Sequence, residues 1–291
     1  MINDALRKHI EVSQGKRIKR THPVSGGDIN QASFVEMEDG RTCFLKYNSR
    51  EGRDMFQKEV KGLNLLRHAG VGFYVPKVLD CDFVEGPNVG FLLLEYISTG
   101  SENTEFHKQF GQQLANMHKI SNKHFGLDHN NYIGRLPQSN RLHDDWISFF
   151  IEERLEPQLK MAMDSGKLTP AVHKKFEQLY QKLDSMLPEE PPALIHGDLW
   201  SGNYMCSEDQ QTVLIDPAVY YGHREIELAF TQLFGSFNPN FYKSYEECYP
   251  LEPGFSNRRD VYNLYPLLVH TNLFGGNYSF RVQTIISRYT K

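Results

Sequence analysis

Between Ile18 and Ile97 apolar and polar residues tend to alternate, and β-branched and aromatic residues dominate, the period of half-buried strands. Asp39-Gly40 breaks the run as a hairpin turn signal, and Gly26-Gly27 breaks it earlier. The pattern predicts strands over Ala32–Met37 and Thr42–Tyr47, with Lys77–Val84 and Val89–Ile97 completing a five-stranded antiparallel sheet. One helix interrupts it. Over Arg53–His68 the residues Phe56, Val60, Leu63 and Leu66 recur near helical spacing until Ala69-Gly70 ends the run.

Beyond Ser98 the period changes to that of helices. Phe106, Phe110, Leu114 and Met117 form one apolar stripe, and Trp146–Met163 reads as a long helix kinked at Pro157. Thr169-Pro170 is an N-cap followed by a proline at the first helical position, and Val172, Phe176, Leu179 and Leu183 continue that face. After the break Pro188–Pro192 come two apolar runs too short for helices, Ala193–Ile195 and Thr212–Ile215, read as buried strands. Helices resume near Arg224. The expected fold class is α+β and bilobal, with a β-rich N-lobe over residues 1–97 and a mainly helical C-lobe over 98–291.

Composition adds bounds to this picture. A chain of 291 residues with 40% apolar and 12% aromatic residues can bury a large core. A net charge of −4 gives no general attraction to nucleic acid or acidic membranes, and the cluster Lys16-Arg17-Ile18-Lys19-Arg20 reads as a solvated edge before the first strand. Cys43, Cys81, Cys206 and Cys248 are scattered without zinc spacing, so reduced thiols are expected. With no signal-like segment and no long apolar stretch, a cytoplasmic protein is expected.

The two short strands each lead into a loop that carries chemistry. His196-Gly197-Asp198-Leu199-Trp200-Ser201-Gly202-Asn203 sets Asp198 and Asn203 five positions apart, and Ile215-Asp216-Pro217 delivers a second Asp thirteen residues after the Asn. Phosphoryl transfer needs a carboxylate to accept the proton of the attacking hydroxyl, and oxygen ligands for magnesium beside the phosphates. In that reading Asp198 is the base, and Asn203 and Asp216 are metal ligands. The bland alternative is a turn-capping Asp198 and a strand exit at Asp216-Pro217. His196 is read as structural, holding backbone carbonyls.

An ATP site also requires a lysine for the phosphates, fixed by an acid. Lys46 lies among apolar neighbours on the second hairpin strand and needs a partner. Glu59, in the helix that follows, is the natural mate, and Glu51 is its rival. Gly26, Gly27 and Asp28 form a turn that could lay backbone N–H groups over phosphates. The backbone groups of Glu95 and Ile97 would face an adenine edge. After Asp216 there is no Phe-Gly, no Ala-Pro-Glu and little chain before the helical run Arg224 to Phe234, which favours a small-molecule kinase over a protein kinase. Glu227, on that run, is read as a brace for the Asp198 loop.

On these residues the chain resembles the protein-kinase-like superfamily, and most closely the fructosamine kinase (ketosamine 3-kinase) family. The stretches Leu194–Asn203 and Leu214–Ala229 carry the likeness, and Gly26-Gly27-Asp28-Ile29-Asn30 fits the family's short nucleotide loop. The resemblance implies ATP- and Mg2+-dependent phosphorylation of the 3-hydroxyl of ketoamines, free or on glycated protein lysines, which reverses glycation. It implies Asp198 as the base, Trp200 as a substrate-stacking aromatic, Asn203 and Asp216 as metal ligands, and Lys46 with Glu59 as the phosphate pair. Some members carry a cysteine in the nucleotide loop where this chain has Asp28, so a thiol-linked dimer is not carried over and a monomer is expected. No nucleic-acid or membrane partner is expected.

Two rival readings stay open on the sequence. One is a kinase for another hydroxyl substrate, such as an aminoglycoside, choline or homoserine, for which Asp144-Asp145, Glu152-Glu153 and Glu246-Glu247 could line an acidic pocket. The other is a catalytically silent nucleotide-binding protein. The complete set Lys46, Glu59, Asp198, Asn203 and Asp216 argues against it.

Overall fold

The structure, a computed structural model, describes residues 2–24, 30–48 and 52–290. The chain begins with α1 (Asp4–Gln14), β1 (Ile18–Pro23), β2 (Gln31–Met37), β3 (Thr42–Asn48), α2 (Gly52–His68), β4 (Val78–Val84) and β5 (Val89–Glu95). Next come α3 (Thr104–His118), β6 (Asn131–Ile133), β7 (Leu136–Gln138), α4 (Trp146–Phe149), a π-helical segment Phe150–Leu155, α5 (Glu156–Asp164), α6 (Pro170–Tyr180) and α7 (Leu183–Met186). The short strands β8 (Ala193–Ile195), β9 (Tyr204–Cys206), β10 (Thr212–Leu214) and β11 (Tyr220–Gly222) follow. The chain ends in α8 (Arg224–Phe230), α9 (Pro239–Cys248), α10 (Phe255–Tyr262), α11 (Leu264–Phe274) and α12 (Asn277–Tyr289). No described helix is long and apolar enough to cross a membrane.

Two compact units result, and they do not follow a single cut in the chain. The first comprises Met1–Ser101 and Met205–Asp216, the second Glu102–Tyr204 and Pro217–Lys291.

The first unit is built on an antiparallel five-stranded sheet in the order β1-β2-β3-β5-β4. Strand alternation sorts its faces. Cys43 and Leu45 of β3 and Phe91 and Leu93 of β5 pack with Val35, Met37 and Ile18 against Ile2, Leu6 and Ile10. Thus α1 covers one face, and the sheet is accompanied by two helices where the sequence predicted one. The reason for the miss is a sparse stripe, since only Leu6 and Ile10 of α1 are buried, although the side chain of Asn3 caps it and Gly15 ends it in the left-handed region. β5 stops at Glu95 rather than at Ile97.

In the second unit the expected helix over Trp146–Met163 is instead α4, the π segment and α5. The disturbance lies upstream of Pro157, because a proline has no N–H for the carbonyl four residues earlier and its ring crowds that carbonyl. The Glu153 carbonyl accepts instead from Arg154 Nη1 at 3.0 Å. The same guanidinium, fully buried, lies 3.8 Å above the Tyr220 ring. Tyr220 sits on β11, opposite Ile195 of β8, so this stack backs the strand that leads into the Asp198 loop.

Candidate active site

In the first unit Lys46 lies on the sheet face opposite α1, since its neighbours Leu45 and Tyr47 point the other way. Its ammonium donates to Glu59 Oε1 at 2.8 Å and also to Asp216 Oδ1. The Lys46 and Glu59 side chains are 8% and 11% exposed, whereas that of Asp216 is 43% exposed. Burial by itself would lower the lysine's pKa, but the charges of Asp216 and Glu59 reverse this and hold it well above the usual value. Burial pushes the Glu59 carboxyl up, Lys46 pulls it back and Asp216 adds to the rise, leaving it raised. Asp216 holds a left-handed backbone, φ 55°, at the exit from β10, uncommon for a non-glycine residue.

Glu95 closes another part of this unit. Its carboxylate accepts from the Tyr74 hydroxyl at 2.8 Å and from the Lys77 N–H at 2.6 Å, and its own N–H donates to the Lys77 carbonyl at 3.0 Å. The side chain therefore fixes the approach to β4, a task the sequence did not suggest. Ile97 lies just beyond β5 and is half-buried. Gly26, Gly27 and Asp28, together with Glu51, lie outside the described residues.

In the second unit β8 and β11 pair antiparallel, and the chain leaves Ile195 into the loop at once. Gly197 has φ +83°, and a Cβ there would meet the Ala218 carbonyl oxygen at 2.1 Å. Gly197→Ala is therefore expected to cost at least about 1–2 kcal/mol of stability, read as a lower urea midpoint at unchanged m-value, and to lower activity by displacing residue 198. Beneath the loop Glu227 of α8 accepts the N–H groups of His196 and Gly197, at 3.1 and 2.8 Å. The buried His196 does not match its expected role at Nδ1, because that atom accepts the Asp198 N–H at 3.3 Å and so binds an amide, not a carbonyl.

Asn203 Nδ2 donates to both the backbone carbonyl and the Oδ2 of Asp198, at 2.8 and 2.9 Å. A turn closed by the Asn203 N–H on the Trp200 carbonyl makes that contact possible. Trp200 is 38% exposed, so its ring is not part of the core. Its ring covers Gly202, where a Cβ would come within 2.4 Å of Cζ2.

The predicted residues thus form one cluster of Lys46, Glu59 and Asp216 in the first unit, and another of Asp198 and Asn203 beside Trp200 in the second. Each cluster presents a hard oxygen of the kind divalent cations take: in the second unit Asn203 donates to Asp198 through its amide nitrogen, which turns its side-chain oxygen the other way, and in the first Asp216 exposes a carboxylate.

Comparison with known proteins gives a consistent answer. The sequence pattern of the fructosamine kinase family matches residues 2–291. A protein of Lactiplantibacillus plantarum named probable ketoamine kinase is 38% identical over 94% of this chain and 95% of its own length. The chloroplastic protein-ribulosamine 3-kinase of Arabidopsis thaliana is 35% identical over 100% of this chain and 89% of its own. A crystal structure from Haemophilus somnus assigned to the fructosamine-3-kinases aligns with TM-score 0.88 and 28% identity, covering 98% of this chain and 97% of that one. Spectinomycin phosphotransferase, at 15% identity and TM-score 0.61 over 99% of this chain and 92% of its own, shares the protein-kinase-like fold. A lysine held between two carboxylates, a carboxylate held by an asparagine and a family pattern that spans the described chain agree, and the chain belongs to the fructosamine kinase family, a phosphotransferase acting on a hydroxyl group.

Proposed function

We propose that the protein transfers the γ-phosphoryl group of ATP to the 3-hydroxyl of a ketoamine, a ribulosamine or fructosamine adduct either free or carried on a protein lysine. The observation that carries this is the ammonium of Lys46 shared by Glu59 and Asp216. A buried, doubly paired lysine is pre-aimed for phosphate oxygens, so no reorganisation is needed when the nucleotide arrives.

Asp198 accepts the proton of the 3-hydroxyl as its oxygen attacks the γ-phosphorus; the bond from that phosphorus to the bridging oxygen breaks, and ADP leaves. The asparagine bond to Oδ2 fixes the rotation of the carboxylate that takes the hydroxyl proton. Asn203 and Asp216 each offer an oxygen suited to magnesium, which would neutralise phosphate charge. The end of β5 at Glu95 and Ile97 just beyond it serve the adenine, and Gly26, Gly27 and Asp28 serve the phosphates.

The acidic clusters that might have served a cationic drug-like acceptor are engaged locally. Asp144 bonds His124, Asp145 caps α4, Glu152 and Glu153 bind Arg141, and Glu246 accepts the Leu251 N–H. This favours the ketoamine over an aminoglycoside.

The test is ATP turnover with ribulosamine, fructosamine, aminoglycoside and choline acceptors, with and without chelation of divalent cations. Ketoamine-dependent turnover abolished by chelation is expected, and transfer to the aminoglycoside alone overturns the reading. In the same assay Trp200→Ala is expected to raise the KM for the ketoamine by about 2- to 12-fold with the KM for ATP unchanged. Stability should hardly move, because the ring is already solvent-facing.

A further inference from the structure

The C-terminal residue of α3, His118, is fully buried and touches none of the groups assigned to substrate or nucleotide. Its Nδ1 lies 2.8 Å from the Tyr245 hydroxyl of α9, and its Nε2 lies 2.9 Å from Glu227 Oε2. The direction of these bonds follows from Glu227: an ionised carboxylate can only accept, so Nε2 carries the ring proton and donates to it. In that tautomer Nδ1 accepts the Tyr245 hydroxyl hydrogen, and the hydroxyl oxygen in turn accepts from Arg224 Nη1 at 3.4 Å.

Glu227 therefore receives three hydrogen bonds in a fully buried setting. Oε2 takes His118 Nε2–H and the His196 N–H, and Oε1 takes the Gly197 N–H. Two of the three donors are the backbone amides directly before Asp198. Without the third, the carboxylate is free to turn about its last torsion, and a buried oxygen loses a partner it cannot replace with water.

We propose that His118 is a positioning residue for phosphoryl transfer: by locking the rotamer of Glu227 it fixes the His196–Gly197 backbone and so the aim of Asp198. Tyr245 and Arg224 complete the line on the Nδ1 side, and Arg224 is itself held by both oxygens of Glu190, each at 2.8 Å. The proposal rests on the reading of Asp198 as the general base.

The test compares His118→Phe with His118→Gln. Gln can set an amide N–H near the place of Nε2–H, whereas Phe fills the volume without a donor. His118→Phe is expected to lower kcat by about 10- to 100-fold, with the KM for ATP and for the ketoamine within about twofold. His118→Gln is expected to recover most of the loss. A merely structural histidine would lower stability in both variants without this split between kcat and KM or the rescue. Equal kcat in wild type and His118→Phe overturns the proposal.

Should the Phe variant not fold, His118→Asn replaces it, because its amide stops short of Glu227. Equal kcat for the Gln and Asn variants then overturns the proposal. Asp198→Asn run in parallel separates the two readings: if it is inactive while His118→Phe is not, the base stands and the positioning role falls.

Discussion

Asp198→Asn is expected to lower kcat by about 10²- to 10⁴-fold while the dissociation constant for ATP stays within about twofold. The amide keeps the size of the carboxylate and can still meet Asn203, but it cannot take a proton from the attacking hydroxyl. Nothing in the Lys46, Glu59 and Asp216 cluster depends on residue 198, so the nucleotide's phosphate contacts survive. Single-turnover kinetics with a ribulosamine, together with equilibrium nucleotide binding, read the two quantities separately. Near-normal turnover would remove Asp198 from the role of base and with it the proposed mechanism.

Lys46→Met has the second large effect and acts on both activity and stability. Turnover is expected to fall by at least about 10²-fold, the scale for losing one charge-stabilising donor at a reacting group. The unfolding free energy at pH 8 is expected to fall by about 3–5 kcal/mol, because a buried charge is left unpaired. That cost belongs to Glu59, at 11% exposure, since Asp216 is exposed enough to be solvated.

The pH dependence fixes the sign. With Lys46 gone, burial and Asp216 both act to raise the Glu59 pKa above its unfolded value of about 4.3. Between those two values the folded chain binds more protons than the unfolded one, so stability increases as pH falls. The raised pKa of Lys46 in the wild type contributes stability that is lost only as pH climbs past about 10.4 and through the folded value, so it adds no slope near neutrality. The deficit in Tm of Lys46→Met should therefore shrink from pH 8 to pH 5. A deficit independent of pH would mean that Glu59 is not the group left unpaired.

Much of this architecture was legible where local chemistry and period agree. The β2–β3 hairpin follows from alternation on either side of Asp39-Gly40, and α2 from the spacing of Phe56, Leu63 and Leu66. Lys46 with Glu59 was legible because a lysine in an apolar strand must find an acid, and the next helix offers one. α1 was missed because two buried residues in an otherwise polar segment do not make a visible stripe. The π segment was displaced from Pro157 because a proline perturbs the carbonyls before it.

Other parts depend on contacts that no local pattern carries. Asp216 could be read as a metal ligand, but its bond to Lys46 spans 170 positions. The bond from His118 to Glu227 spans 109, and the role of Glu95 in holding Tyr74 and Lys77 has no periodic signature. Trp200 could not be told from a core aromatic, since its exposure is set by the turn that brings Gly202 under its ring.

The return of Met205–Asp216 to the first unit bears on how that unit is made. The Tyr74 N–H donates to the Thr212 carbonyl, the Leu214 N–H to the Tyr74 carbonyl and the Gly100 N–H to the Cys206 carbonyl. A ribosome must therefore deliver more than a hundred further residues after Ser101 before these bonds can close and Lys46 can meet its second carboxylate. Excising residues 1–101 as a minimal nucleotide-binding fragment would leave it without those partners, whereas a graft of 205–216 onto its end through a flexible linker would restore them.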